Sequence, residues 1–245
     1  GSYRCCDLDI VHTGEGCPLA CTYCILQAYL QDAPLTVFAN QEEQFARLAE
    51  AFSANPARRF RAGMGQFTDS LALEPLTGTA GDLLEFLAGF PNVCLELKSK
   101  VVDLTWMDRA TRPDRVLPAW SVNAPEVVEA EEPGAAPLEE RLRAARECAR
   151  AGFRVCLHFD PVILYPGWQA GYARTVEMIL DHLRPADVAY VSLGSFRFLP
   201  GLAGLVAGNP RYQHGEYVQD LDGKRRLLRP LRAAQLRFLA ELLDR

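Results

Sequence analysis

The chain has 245 residues, 49% of them hydrophobic and 23% charged, with a formal net charge of -5 and a pI near 5.5. That length supports one α/β barrel or at most two small domains, and the acidic balance argues against a grip on nucleic acid through bulk electrostatics while leaving room for a local basic groove. No apolar run is long enough to span a membrane, Gly1-Ser2 reads as a cloning scar rather than a signal peptide, and eight cysteines fit a reducing, cytoplasmic compartment better than a disulfide scaffold.

In chain order, Leu8 to Val11 predicts a first strand, and His12 to Gly16 a loop leading into Cys17, Cys21 and Cys24. Cys5 and Cys6, just upstream, read as small packed hydrophobes. Ile25 to Tyr29 continues as a helix, Thr36 to Ala39 is extended, and Glu42 to Phe52 is a helix with Phe45, Leu48 and Phe52 on one face. The pattern then repeats in kind. Strand Arg59 to Ala62 is followed by the glycine-containing loop Gly63 to Ser70 and helix Asp82 to Leu87, and Val93 to Leu97 is the third strand. A helical turn at Asp103 to Arg109 leads to strand Val116 to Val122 and to a long amphipathic helix, Leu138 to Ala151, ended by Gly152. Strands Arg154 to Phe159 and Val188 to Leu193 follow, with helix Tyr172 to Leu183 between them.

This alternation predicts a parallel sheet, either open and doubly wound or curled into an incomplete barrel, with functional groups on the loops after the strands' C-terminal ends. The polar residues there are the loop Gln66-Phe67-Thr68-Asp69, Lys98 on one face with Cys94 and Glu96, Ser121 and Asn123, and His158 and Asp160 before Pro161. His158 and Asp160 are candidate catalytic groups by position. Residues 3–195 would form the barrel and 196–245 a C-terminal extension. In the extension Arg197 and the basic run Gly223 to Arg232 offer a phosphate grip or, more simply, a solvated hairpin face followed by an amphipathic helix, Ala233 to Leu243.

The cysteines carry the chemistry. Three thiolates at spacings of four and three residues can converge on one inorganic centre, yet the next cysteine is Cys94. Structural zinc wants a fourth ligand and iron-sulfur clusters normally take four thiolates, so three point to a cluster with one iron open to a small molecule. A zinc knot, or free thiols in a helix, is the plain alternative. Cys-x-x-x-Cys-x-x-Cys with Tyr23 before the last cysteine resembles the signature of radical S-adenosylmethionine enzymes. The resemblance implies a partial (β/α)6 TIM-type barrel with a 4Fe-4S cluster on Cys17, Cys21 and Cys24. It also implies S-adenosylmethionine on the open iron, a low-potential electron donor of flavodoxin or ferredoxin type, and a 5'-deoxyadenosyl radical that abstracts hydrogen from substrate.

The order of the pieces is similar to one branch, the spore photoproduct lyase-like family. The matching pieces are Gly16 to Leu30, Phe67 to Ser70, Lys98, Ser121-Val122-Asn123, Arg141 to Gly152, and Pro166-Gly167-Trp168 with Gly171-Tyr172. This resemblance implies cofactor contacts at Asp69 and its neighbours Gln66 and Thr68, at Lys98, at Ser121 with Asn123 beside it, and at Tyr23, which also stays a candidate for hydrogen transfer. It points to a nucleic acid or nucleotide substrate. Two departures stand against simple lesion repair: Phe67 replaces the family's hydrogen-donor cysteine and Ile25 replaces its tyrosine. The second reading is therefore the same radical machinery acting on a small metabolite or peptide, and a non-catalytic iron-sulfur or zinc protein is the third.

Overall fold

The computed structural model describes residues 8–30 and 34–244, and Cys5 and Cys6 lie outside them. Six strands, β1 Leu8–Ile10, β2 Phe60–Gly63, β3 Val93–Ser99, β4 Val116–Ser121, β5 Val155–Val162 and β6 Val188–Ser195, pair side by side in sequence order and always in parallel. The sheet curls into a half-barrel whose edges are β1 and β6. Strand alternation sets its two faces. On β3, Val93, Leu95 and Leu97 are buried under the helices, whereas Cys94, Glu96 and Lys98 share the concave face.

The outer layer consists of α1 Gln41–Ala54, α2 Thr79–Leu87, α3 Pro125–Glu131, α4 Leu138–Arg150, α5 Trp168–His182 and α6 Arg229–Leu243. α1 carries Glu42 and Glu43 in its first turn, where the exposed N–H groups favour negative charge, and its Phe45 ring stacks at 4.5 Å on Phe86 of α2. On α4, Leu138, Leu142, Ala145 and Cys148 are buried while Glu139, Arg143 and Glu147 face water, the helical periodicity that the sequence displays.

Several boundaries differ from expectation by a few residues, and one outer helix is additional. β3 continues through Lys98 and Ser99, because both still pair with β4. β5 runs past Asp160-Pro161 to Val162, because a register shift between Phe159 and Val162 absorbs the proline that would otherwise break the ladder. α3 was not anticipated, although Pro125 in its first turn is a helix-start signal.

The C-terminal segment forms a small antiparallel sheet of β7 Arg197–Phe198, β8 Tyr217–Gln219 and β9 Arg225–Leu227, with β9 in the middle. The basic run thus supplies a hairpin strand and the start of α6, the plainer of the two expected arrangements. Arg226 is held there by Asp222 at 2.5 Å and Asp220 at 3.3 Å. α6 packs on α5 and β6, and buried Gln235 accepts a hydrogen bond from Ser195 Oγ at 2.9 Å. Among the described residues no helix is long and apolar enough to cross a membrane.

Candidate active site

A cavity of about 300 Å³ opens at the C-terminal ends of the strands. One wall is the cysteine loop, which Gly16 (φ 89°) and Ala20 (φ 52°) turn back on itself. Cys17, Cys21 and Cys24 all border the cavity and none is in a disulfide. Burial pushes the Cys17 thiol up to about 11 and the Cys21 thiol up to about 12, so both are protonated near neutral pH without a metal, and a bound cation would favour their thiolates. Among the described residues no three His, Cys, Asp or Glu side chains converge on a single metal ion. Three free thiols of one loop bordering one cavity are a donor set that a cluster with one open iron could use.

The connection from α3 to α4 holds this loop from behind. The Gly134 N–H donates to the Leu19 carbonyl at 3.0 Å, and a Cβ at Gly134 would lie 2.7 Å from that oxygen, so only glycine fits the approach. Tyr23 donates its hydroxyl to Glu132, and Glu132 pairs with Arg141 at 2.5 Å. Arg141, fully buried, also donates to the carbonyls of Ala136 at 2.7 Å and Ser121 at 2.9 Å. The network runs from the cysteine loop to the end of β4. Burial first, and Glu132 next, raise the Tyr23 phenol well above its ordinary value, so it stays protonated. The Lys100 ammonium lies 5.6 Å from the centre of the Tyr23 ring.

The facing wall holds Gln66, Thr68, Asp69, Lys98, Ser121 and Asp160, brought together from the loop after β2 and the ends of β3, β4 and β5. Their roles differ from expectation in detail. Asp69 accepts from the N–H groups of Leu71 and Ala72 at 3.0 Å each, from Ser99 Oγ at 2.7 Å and from the Lys100 N–H at 2.8 Å. With its oxygens so occupied, this carboxylate shapes the loop rather than reaching for a ligand. Lys98 is half-buried and makes no ion pair among the described residues. Burial pulls its amine below the ordinary lysine range, against the opposing pull of Asp160. Asp160 is itself bidentate with Arg197, at 3.0 and 3.2 Å, so it is a paired carboxylate and not a free base.

Asn123 and His158 do not line the cavity. Asn123 is 1% exposed, its amide donating to the Pro161 carbonyl at 3.0 Å while its oxygen accepts from Tyr172 at 2.6 Å and from the Ala124 N–H at 3.0 Å. It ties β4 to β5 and α5, away from the cavity lining. His158 sits deeper on the concave face, 2.7 Å from Ser192 Oγ and 3.2 Å from Glu96, which also receives Tyr190 and pairs with Arg61 at 3.0 Å. Burial lowers the His158 imidazole below its ordinary value. Burial alone would raise Glu96, but the hydrogen bonds from His158 and Tyr190 outweigh it and hold the carboxyl low.

Sequence reasoning missed Lys100 and Phe196, which line the cavity, whereas Lys224, which lines it too, belongs to the basic run singled out in the sequence. Strand alternation beyond Lys98 signals Lys100. Phe196 comes just before β7, and nothing local announces it. Phe67 and Ile25 also line the cavity, with the Phe67 ring centroid 4.6 Å from that of His12.

The profile described as spore photoproduct lyase matches residues 9–199. The chain belongs to the spore photoproduct lyase family. Two curated members of that family are similar to it: the spore photoproduct lyase of Geobacillus sp. (strain Y412MC61), 25% identical over 175 residues, and that of Bacillus subtilis (strain 168), 28% identical over 177. Each alignment covers 71% of this chain and 51% of the relative, so the chain spans about half the length of the curated relatives it matches. Among solved structures, a spore photoproduct lyase double mutant with bound AdoMet and dinucleoside spore photoproduct superposes with a TM-score of 0.84 at 21% identity, covering 96% of this chain and 73% of that one. A spore photoproduct lyase complexed with dinucleoside spore photoproduct gives 0.83 at 21% identity, over 95% and 72%. These likenesses establish the half-barrel as the fold of the spore photoproduct lyase family.

Proposed function

We propose that this member of the spore photoproduct lyase family is a radical S-adenosylmethionine enzyme. Cys17, Cys21 and Cys24 would hold a 4Fe-4S cluster, and Lys98 and Ser121 would contact the cofactor across the cavity. The observation that carries the reading is the cavity itself, in which three free thiols stand on one wall and, at the strand ends opposite, stand a hydroxyl and an ammonium that makes no ion pair among the described residues. Held there, such a cluster with S-adenosylmethionine would supply radical chemistry, a 5'-deoxyadenosyl radical able to take hydrogen from substrate. The chain's own part is to position and shield. Lys98 offers its charge to the cofactor carboxylate, Tyr23 presents its ring with its protonated hydroxyl anchored on Glu132, and Leu19, Ile25 and Phe196 exclude water. A low-potential donor of flavodoxin or ferredoxin type would deliver the electron.

The proposed substrate is a nucleic acid or nucleotide. Around the cavity Lys98, Lys100, Lys224 and Arg197 outnumber Asp69 and Asp160 although the chain is acidic, and two solved relatives hold dinucleoside spore photoproduct. Phe67 favours a second reading, a small metabolite or peptide, because a phenyl ring returns no hydrogen to a repaired thymine. The test is anaerobic reconstitution with iron and sulfide. Wild-type protein should hold about four irons, the count of one cubane, and cleave S-adenosylmethionine when reduced. A Cys17→Ala/Cys21→Ala/Cys24→Ala variant with the same iron content and visible spectrum would overturn the assignment. Salt-dependent retention on DNA or RNA separates the two substrate classes.

A further inference from the structure

The cysteine loop is also tied to the C-terminal segment, through a second acidic residue that the cavity does not contain. Glu131, the last residue of α3, is 4% exposed and collects donors from both sides. From the cysteine loop, Thr22 donates its hydroxyl to Glu131 Oε2 and its N–H to the Glu131 carbonyl at 2.9 Å. From the C-terminal segment come Asn209 Nδ2 at 2.8 Å, the Tyr212 hydroxyl at 2.8 Å and Arg211 Nε at 3.0 Å. The hydroxyls of Thr22 and Tyr212 also touch each other directly.

Three facts give this knot a direction. Thr22 lies between Cys21 and Cys24, so whatever fixes Thr22 fixes the backbone on which two of the three thiols are mounted. Tyr212 is 1% exposed, and its ring lies against Phe196, with centroids 4.9 Å apart and planes 30° apart. Phe196 lines the cavity beside Arg197, the partner of Asp160. A continuous packed path therefore leads from the substrate side of the cavity through Phe196 and Tyr212 to Glu131 and Thr22, and ends at Cys21 and Cys24. The carboxylate suits a junction of this kind. Its two oxygens accept several charge-assisted bonds at once, and in a buried setting losing one donor leaves the rest of the group poorly compensated.

We propose that Glu131 and Tyr212 are positioning residues that couple the C-terminal segment to the cysteine loop, so that the surroundings of the metal centre depend on how that segment is seated over the cavity. The proposal rests on the cluster assignment above. It adds that residues outside the cavity and outside the motif set the cluster's environment, and it gives the C-terminal segment a part in the chemistry as well as in enclosing the substrate.

The experiment compares anaerobically reconstituted full-length wild type, Glu131→Gln, Tyr212→Phe and Thr22→Val. Tyr165→Phe serves as a control, since Tyr165 donates to Glu126 at 2.8 Å without touching the cysteine loop. Two readouts are independent of turnover: the electron paramagnetic resonance spectrum of the reduced protein with and without S-adenosylmethionine, and the rate at which a chelator bleaches the cluster. Glu131→Gln and Tyr212→Phe are expected to alter the spectrum and to speed bleaching about tenfold or more, corresponding to about 1.4 kcal/mol, while Tyr165→Phe changes neither. Tyr212→Phe keeps the ring and its packing on Phe196, so it remains informative if Glu131→Gln folds poorly. Variants of lowered thermal stability with wild-type spectra and bleaching rates would overturn the coupling and leave the cluster assignment standing. A wild-type chain that takes up no iron would overturn both.

Discussion

Replacing Arg141 with methionine probes the support beneath the active site. The guanidinium is fully buried, pairs with Glu132 at 2.5 Å, and satisfies the carbonyls of Ser121 and Ala136. Methionine fills much of the same volume but leaves the Glu132 carboxylate buried without its cation. Breaking such a pair from one side costs about 3 to 5 kcal/mol, far more than the same pair is worth against a well-packed apolar replacement. Against a total stability of about 5 to 15 kcal/mol, that is a large fraction, and for a chain of this size it corresponds to a fall in Tm of roughly 6 to 20 °C. The assay is thermal and urea unfolding of the apoprotein followed by circular dichroism, with Arg141→Met, Glu132→Gln and the double variant side by side. Removing the stranded charge should restore part of the loss, so the double variant is expected to be more stable than Arg141→Met alone. A loss below about 1 kcal/mol, the scale of an exposed ion pair, or a double variant worse than Arg141→Met, would refute the view that a buried carboxylate is what the arginine compensates.

Lys98→Ala and Ser121→Ala should each weaken S-adenosylmethionine binding without loss of iron. One charge-assisted hydrogen bond is worth about 1.5 to 3 kcal/mol, or roughly ten- to 150-fold in Kd, as titration calorimetry on the reconstituted protein would measure. The wild-type chain should cleave S-adenosylmethionine reductively without converting dinucleoside spore photoproduct, whereas Phe67→Cys, which places a thiol at the cavity wall, should gain detectable conversion by anaerobic chromatographic assay. Efficient conversion by a chain with intact Phe67 and with Cys5 and Cys6 both changed to Ala would contradict this. Stability should also fall on acidification. His158 has a folded pKa below its ordinary value of 6.5, so the unfolded chain takes up that proton first and stability declines as pH drops below 6.5. The Glu96 contribution is present above its ordinary value of 4.5 and is lost as pH falls further through its lowered folded value. Melting curves between about pH 7 and pH 5 should therefore slope less for His158→Gln than for wild type, and equal slopes would remove His158 from the account.

The elements that carry strong periodicity were legible in the sequence. Alternating β3 and amphipathic α4 announced themselves, and so did the order of strands that makes the half-barrel. The cysteine spacing and the strand-end rule brought together Cys17, Cys21, Cys24, Gln66, Thr68, Lys98, Ser121 and Asp160 around one cavity. What escaped was everything that depends on partners distant in the chain. Asp69 and Asn123 occupy loop and strand-end positions that attract a functional reading, yet their hydrogen-bonding capacity is taken up by the protein itself. Glu131 and Glu132 read as ordinary acidic residues near a helix end. Their importance arises because a loop more than a hundred positions earlier folds against them.

The Asp69 carboxylate has a thermodynamic consequence for whatever the cavity receives. By holding the N–H groups of Leu71, Ala72 and Lys100 together with the Ser99 hydroxyl, it fixes the turn after β2 and the end of β3 within the protein's own fold. Ordering a residue's backbone costs about 1 to 2 kcal/mol, and a loop that had to be ordered by its ligand would subtract that amount from affinity several times over. Here the ordering accompanies folding. The interactions that a ligand makes with Gln66, Thr68 and Lys98 can therefore go into affinity and alignment, and replacing Asp69 with alanine would be felt as an entropic penalty on binding by a residue that never needs to touch the ligand.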